Sequence, residues 1–333
     1  MSQLRHDPLT KKWTIISPER SRRTDAFTGI KKTDALCPFC NGGTGLYEIY
    51  KIDGKNGTEL KVVPNKYPVL GIEGLLERSG FGLYDNITGI GANEIIIDSP
   101  RHGLKVGDYT EQELFNLFKA FKARMDDLSK DVRFRYLQGF KSIGFEAGQS
   151  IDHPHSQIVA LPVIPANVEI KLRESAAYYL EKERCLSCDI ISSELESRKR
   201  IVFENYDFVA FCPYASAYPF AVSIYPKKHN CSFPSTSEGL LKQLAEITKE
   251  VYLRISLLLK SPAVMTAIIT APPKDGRTDI KNQLTNIEQA FHWHLEIRPV
   301  ITAATCLEWA AGVTVNPVEP EEAALHLREA AVK

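Results

Sequence analysis

The chain has 333 residues, with 41 basic and 41 acidic side chains, zero net charge and a 44% hydrophobic composition. Balanced charge gives no electrostatic footprint for nucleic acid or an anionic membrane, although a local basic cluster could still bind phosphate. The length suffices for one large domain or two ordinary ones, and no window reaches the roughly 18 apolar residues of a membrane helix.

The N-terminal stretch MSQLRHDPLTKKWTII contains no apolar h-region, so no signal peptide is expected and a cytoplasmic location is the default. A basic run, SPERSRR, follows at 17–23, and then a C-x-x-C pair, CPFC, at 37–40. Next come PNKYPVL (64–70) and a strand-like NEIIIDSP (93–100) that leads to His102. Thr110 and Glu113 form a capping box, after which Leu114, Leu117, Phe118, Phe121, Met125 and Leu128 repeat at helical spacing. Strand-like FRYLQGF (134–140) precedes HPHSQIVALP (153–162).

The same order then recurs. After a charged connection at 166–200, expected to be part helix and part loop, come CLSC (185–188) and ENYDFVAF (204–211). FAVSIYPKK (220–228) ends at His229, and a helix carries Leu240, Leu241, Leu244, Ile247, Val251 and Ile255. AVMTAII (263–269) and HWHLEIRP (292–299) complete the copy. Strands that run straight into strands, with one long helix per half, predict an α+β fold with antiparallel sheets built by internal duplication. The period is too long for a solenoid repeat.

The cysteine count is seven, which argues against a disulfide framework; four of the seven lie in the two C-x-x-C pairs. Such a pair supplies two thiolates on a tight turn, half of a tetrahedral zinc site. Histidines at equivalent points of each half complete two sets: Cys37, Cys40, His102 and His153, and Cys185, Cys188, His229 with His292 or His294. Four protein ligands would close each site, making the metal structural. Cys212, Cys231 and Cys306 are expected to be ordinary small residues.

With His153 given to metal, His155 is either a nucleophile toward phosphorus or a buried, hydrogen-bonded histidine. In an extended segment His155 and Gln157 project on one face, where an imidazole nitrogen and an amide N–H can meet one phosphate.

The motif HPHSQ closely resembles the active-site motif of galactose-1-phosphate uridylyltransferases, the transferase branch of the histidine-triad (HIT) superfamily. DPLTKKWTIISPERSRR (7–23), CPFC, VVPNKYPVL (62–70), NEIIIDSPRHG (93–103), GFEAGQSIDHPHSQIVALP (144–162) and AYPFAVSIYPKKH (217–229) resemble that family's blocks in order. The chain is also similar to plant-type ADP-glucose phosphorylases and to dinucleoside tetraphosphate phosphorylases. The resemblance implies two HIT-like halves, 1–168 with HPHSQ and the first zinc site and 169–333 with the second, and a homodimer.

It further implies that His155 attacks the α-phosphorus of a nucleotide-sugar, releasing a sugar 1-phosphate before a second phosphate acceptor takes the nucleotide. The family pattern makes the His153 carbonyl the acceptor for the nucleophile's other ring N–H, and gives Gln157 the transferring phosphoryl group. Ser150 matches a phosphate contact, Arg20 and Arg23 match a phosphate-gripping SPxRxxRP block, and Asn65 matches a nucleoside contact. Without the resemblance, the arginine run reads equally as a solvated arm and Pro64-Asn65 as a turn. His292 corresponds to His153, and so is the favoured ligand; His294 corresponds to the nucleophile without its glutamine.

Two departures stand out: Asn93 replaces a frequent histidine, and LEWAAGVTVNPVEPEEAA (307–324) has Ala311-Gly312 where relatives often carry Gly-Thr-Gly. The functional expectation is a UDP-glucose–hexose-1-phosphate uridylyltransferase. The alternatives are an adenylyltransferase that uses inorganic phosphate (an ADP-glucose or dinucleoside tetraphosphate phosphorylase) and a non-catalytic, zinc-stabilised nucleotide-binding protein. Neither nucleic acid nor membrane is expected as a partner.

Overall fold

A computed structural model describes residues 2–18, 37–40, 47–54, 57–273 and 286–330. The N-terminal half contributes β1 (Gln3–His6), β2 (Trp13–Ile16), β3 (Tyr50–Gly54), β4 (Gly57–Pro64), β5 (Arg78–Phe81), β6 (Tyr84–Thr88), β7 (Ala92–Ile97), β8 (Tyr136–Ile143) and β9 (His155–Leu161), with helix α1 (Glu111–Leu128) between β7 and β8. Helices α2 (Ala166–Lys182) and α3 (Leu186–Ser197) connect the halves. The remainder is β10 (Ile201–Glu204), β11 (Phe208–Phe211), β12 (Val222–Pro226), α4 (Glu238–Leu259), β13 (Ala263–Ile269), α5 (Ile287–Ala290), β14 (His294–Val300), α6 (Cys306–Ala311) and α7 (Pro320–Glu329).

Ten strands form one antiparallel sheet in the order β10-β11-β12-β14-β13-β8-β9-β7-β4-β3. Outward from the β8–β13 seam, each half lays down the fourth, fifth, third, second and first of its five strands in this sheet, so the duplication read in the sequence is repeated in the topology. The seam pairs Ile143 with Val264 and Phe140 with Ala267. The two halves are therefore joined edge to edge, which the sequence pattern alone does not specify.

One face of the sheet carries the long helices. Thr110 accepts the Glu113 N–H and the Glu113 carboxylate accepts from the Thr110 N–H, as the capping box predicts; Ser237 caps α4 by accepting from the Leu240 N–H. The apolar stripes of α1 and α4 pack against each other and share one core with Ile96, Ile158, Ala160, Leu295 and Ile297 of the sheet. Arg124 of α1 makes a two-pronged ion pair with Glu94 of β7 at 2.7 and 2.8 Å. The alternate residues of β9 face the other way. There Val159 packs with Leu4, Leu70 and Ile87, which belong to or flank a second sheet ordered β2-β1-β6-β5. The sequence reading missed this small sheet, because its strands are only four or five residues long and mostly half-buried or exposed.

The 166–200 connection is more helical than expected, with α2 and α3 filling most of it. β7 and β12 also stop earlier than expected, at Ile97 and Pro226, leaving His102 and His229 in the turns beyond. Among the described residues, no helix is long and apolar enough to cross a membrane.

Candidate active site and metal centres

The strand-start at His155 is held by its neighbours on β7 and β8. Ile97 lies opposite His155, and Gln157 lies opposite Ile95 on one side and Phe140 on the other. The period of two then puts His155 and Gln157 on the face away from α1 and α4. The His155 Nδ1–H donates to the His153 carbonyl at 2.8 Å, so its Nε2 keeps the lone pair. Burial pushes the imidazole below the ordinary histidine range; the His153 carbonyl works against this, and the Lys141 charge adds to it. The ring is thus neutral near pH 7, and its basic Nε2 has no hydrogen-bond partner among the described residues.

Gln157 is half-buried, and its Oε1 accepts from Asn93 Nδ2 at 3.5 Å. Asn93 Oδ1 in turn accepts from Asn65 Nδ2 at 3.0 Å, and Asn65 Oδ1 accepts the Tyr67 N–H at 2.9 Å. Asn65 is therefore both the turn-former and the end of a polar chain that turns the Gln157 amide donor away from Asn93. Ser150 is half-buried in the loop that enters the motif. Arg20 and Arg23 lie outside the described residues.

Sequence reasoning missed Gln149, which organises that loop. It is buried; its Nε2 donates to the His153 carbonyl at 3.2 Å and its Oε1 accepts the Gly144 N–H at 2.6 Å. Gly144 has φ +88°, and a Cβ there would lie 2.7 Å from the Ala263 Cβ across the seam. Gly144→Ala is expected to cost about 1–3 kcal/mol, read as a lower denaturant midpoint.

Two clusters each bring four metal-binding atoms within 4.8 Å of one another: Cys37, Cys40, His102, His153, and Cys185, Cys188, His229, His292. Zn–S bonds of about 2.3 Å and Zn–N bonds of about 2.0–2.1 Å in a tetrahedron put sulfur and nitrogen about 3.5 Å apart. The observed separations agree: Cys40 Sγ to Nδ1 of His102 and His153 is 3.3 and 3.8 Å, and Cys188 Sγ to Nδ1 of His229 and His292 is 3.4 and 3.5 Å. Two of the outer nitrogens are oriented too. His153 Nε2–H donates to the Ser99 carbonyl at 2.9 Å and His229 Nε2–H to the Glu288 carbonyl at 2.8 Å, leaving Nδ1 for an ion. Both clusters can therefore hold a metal ion. Phe39, inside the first C-x-x-C, also packs edge-on against His155 with centroids 5.5 Å apart.

The second H-x-H copies the first only in part. His294 Nδ1–H donates to the His292 carbonyl at 3.2 Å, matching His155 on His153. Its Nε2 is occupied, however, lying 3.3 Å from Glu296 Oε1 and 3.4 Å from Lys171 Nζ, while Lys171 and Glu296 form an ion pair. Tyr225 stacks on the ring at 4.5 Å. A carboxylate replaces the first copy's Gln157 amide, and it repels phosphate.

The sequence family described as the N-terminal domain of galactose-1-phosphate uridyl transferase matches residues 1–165, and its C-terminal counterpart matches 171–327. The chain belongs to the galactose-1-phosphate uridylyltransferase family. Within the family it is 30% identical to the ADP-glucose phosphorylase of Arabidopsis thaliana, over 98% of this chain and 92% of that one. It is 29% identical to the galactose-1-phosphate uridylyltransferase of Thermotoga maritima over the full length of both. Among solved structures, a uridylyltransferase superposes with TM-score 0.80 at 26% identity, covering 99% of this chain and 98% of that one. The Arabidopsis ADP-glucose phosphorylase, solved with bound ADP-glucose, gives 0.76 at 30% identity and 99% coverage of both chains. The α+β, duplicated architecture read from the sequence is that of this family's solved members.

Proposed function

We propose that the protein is a nucleotidyltransferase that carries a nucleotide from a nucleotide-sugar to a phosphate acceptor on His155. The supporting observation is the free Nε2 of a neutral imidazole whose Nδ1–H is fixed on the His153 carbonyl at 2.8 Å, with Gln157 on the same strand face. Nε2 attacks the α-phosphorus, the N–P bond forms, and the bridging P–O bond breaks. The electron pair leaves with the sugar 1-phosphate, a stable anion that requires no general acid. Positive charge that develops on the ring is met at Nδ1–H by the carbonyl. An oxygen of the acceptor phosphate then attacks the same phosphorus, and the N–P pair returns to Nε2.

Gln157 is assigned to a non-bridging phosphate oxygen through its amide N–H, with Asn93 and Asn65 holding its orientation. Gln157→Ala is expected to slow single-turnover transfer about 100-fold; a rate within about threefold of wild type would remove that role. Arg20, Arg23 and Ser150 are the proposed phosphate contacts.

UDP-glucose and galactose 1-phosphate are the proposed substrates; the name of the Thermotoga relative supports galactose 1-phosphate and uridylyl transfer. A second reading, ADP-glucose with inorganic phosphate, is favoured by the 30% identity to the Arabidopsis phosphorylase and by Ala311-Gly312 in the C-terminal block. Offering each donor with each acceptor separates them: UDP-galactose marks the uridylyltransferase, and ADP released from ADP-glucose marks the phosphorylase. Neither product from any pair would overturn the nucleotidyltransferase.

Zinc is the proposed ion at both clusters, since two thiolates and two imidazoles in tetrahedral array suit it, and when bound it would stabilise the fold. We also propose a homodimer. Leu307, Trp309, Val313 and Val315 of the C-terminal segment are 55–84% exposed, an apolar strip that a second copy would cover.

A further inference from the structure

Directly behind the proposed nucleophile, on the helix-bearing face, lies a charged pair that the transfer chemistry does not use. Lys141 of β8 and Asp98, just past β7, form an ion pair with side chains 3% and 0% exposed. Asp98 Oδ2 also accepts from Ser156 Oγ at 3.1 Å and from Tyr109 OH at 3.4 Å, and the Asp98 N–H donates to the Pro154 carbonyl at 3.1 Å. Lys141 Nζ donates to the His155 carbonyl at 3.4 Å and sits 4.7 Å from the Tyr109 ring centroid. Residues 154, 155 and 156 are thus each gripped by one member of the pair. The next residue, Ser99, accepts from the His153 ring.

A buried ion pair is a poor source of stability, because desolvating both charges offsets their attraction and an apolar pair of similar size often does as well. The surrounding core here is apolar and aromatic, with Leu114, Leu117 and Phe121 near Lys141. A fold that needed only packing at this point would be served by hydrophobic side chains. What the pair supplies is direction: three hydrogen bonds, two from its side chains and one from the Asp98 main-chain N–H, that fix where residues 154–156 lie and hence where Nε2 points.

We propose that Lys141 and Asp98 are positioning residues that hold His155 in attack geometry from the reverse face of the sheet. Neither touches substrate. The role presupposes His155 as the nucleophile. Loss of such alignment slows the chemical step, because displacements of about 1 Å cost about 100-fold, while donor binding is spared.

The test compares Lys141→Met, Asp98→Asn, the double variant and Ser156→Ala in the full-length protein, using α-labelled UDP-glucose and ADP-glucose. Each single exchange of the ion pair leaves a buried charge unpaired and should lower Tm; the neutral double variant should recover to within about 2 °C of wild type. Despite that recovery, its single-turnover labelling at saturating donor should remain about 10- to 100-fold slow, with half-saturation changed less than about twofold. Ser156→Ala leaves the ion pair itself intact and should slow labelling about three- to tenfold, with a smaller loss of Tm than either single exchange of the pair. Labelling by the double variant at the wild-type rate would overturn the proposal. Should the double variant not fold, wild-type labelling by Ser156→Ala would overturn it instead. Absence of label on the wild-type protein would strike the function of His155 itself.

Discussion

His155→Ala should abolish covalent labelling from every donor and reduce turnover at least about 10⁴-fold, while both metal clusters stay filled. The size of the effect follows from the division of labour within HPH. In the proposed mechanism His155 offers its Nε2 to phosphorus, and alanine has nothing that can form the N–P bond. The His153 ring, by contrast, faces Cys40 and is oriented by the Ser99 carbonyl, neither of which depends on His155. Metal analysis on the purified variant, alongside labelling, checks both halves of the expectation. A variant that still takes label, or that loses one ion per chain, would show that the two histidines had been assigned wrongly.

Cys37→Ser and Cys185→Ser should each remove one ion and cost several kcal/mol of folding stability, yet differ in their effect on chemistry. The first C-x-x-C carries Phe39, which packs on His155, and its cluster includes His153, whose carbonyl accepts the His155 Nδ1–H. Cys37→Ser is therefore expected to lose labelling together with the metal. The second cluster instead ties α3 to His229 and His292, beside a histidine already engaged by Glu296 and Lys171. Cys185→Ser should label at a rate within about threefold of wild type in the fraction that remains folded. Equal loss of labelling in both variants, at equal folded fraction, would contradict a purely structural second centre.

Much of this was legible in the sequence because it is written in periodic or repeated residues. The helical stripes of α1 and α4, the two C-x-x-C pairs and the two H-x-H copies each mark their element locally, and their recurrence in the same order exposed the duplication. The four-residue strands β1 and β2 offered no comparable period, so the small sheet went unread. Lys141 gave no signal either, since a lysine in FRYLQGFKSI reads as an outward-facing strand residue until β9 and α1 cover it. Asp98 did leave a trace as an acid ending a run of three isoleucines, but its partner lies 43 residues away and only the β8–β9–β7 pairing brings them together. Gln149 is a similar case: a polar residue in a glycine-bounded loop becomes a brace only once the loop closes on the His153 carbonyl.

The most direct test of the central claim is a single-turnover reaction of the protein with α-labelled UDP-glucose or ADP-glucose and no acceptor, quenched in base. A nucleotide bound to His155 predicts one acid-labile, base-stable label per chain, formed together with one equivalent of glucose 1-phosphate and removed on adding the acceptor phosphate. Product formation with no protein-bound label at any time, or label that persists in His155→Ala, would contradict it.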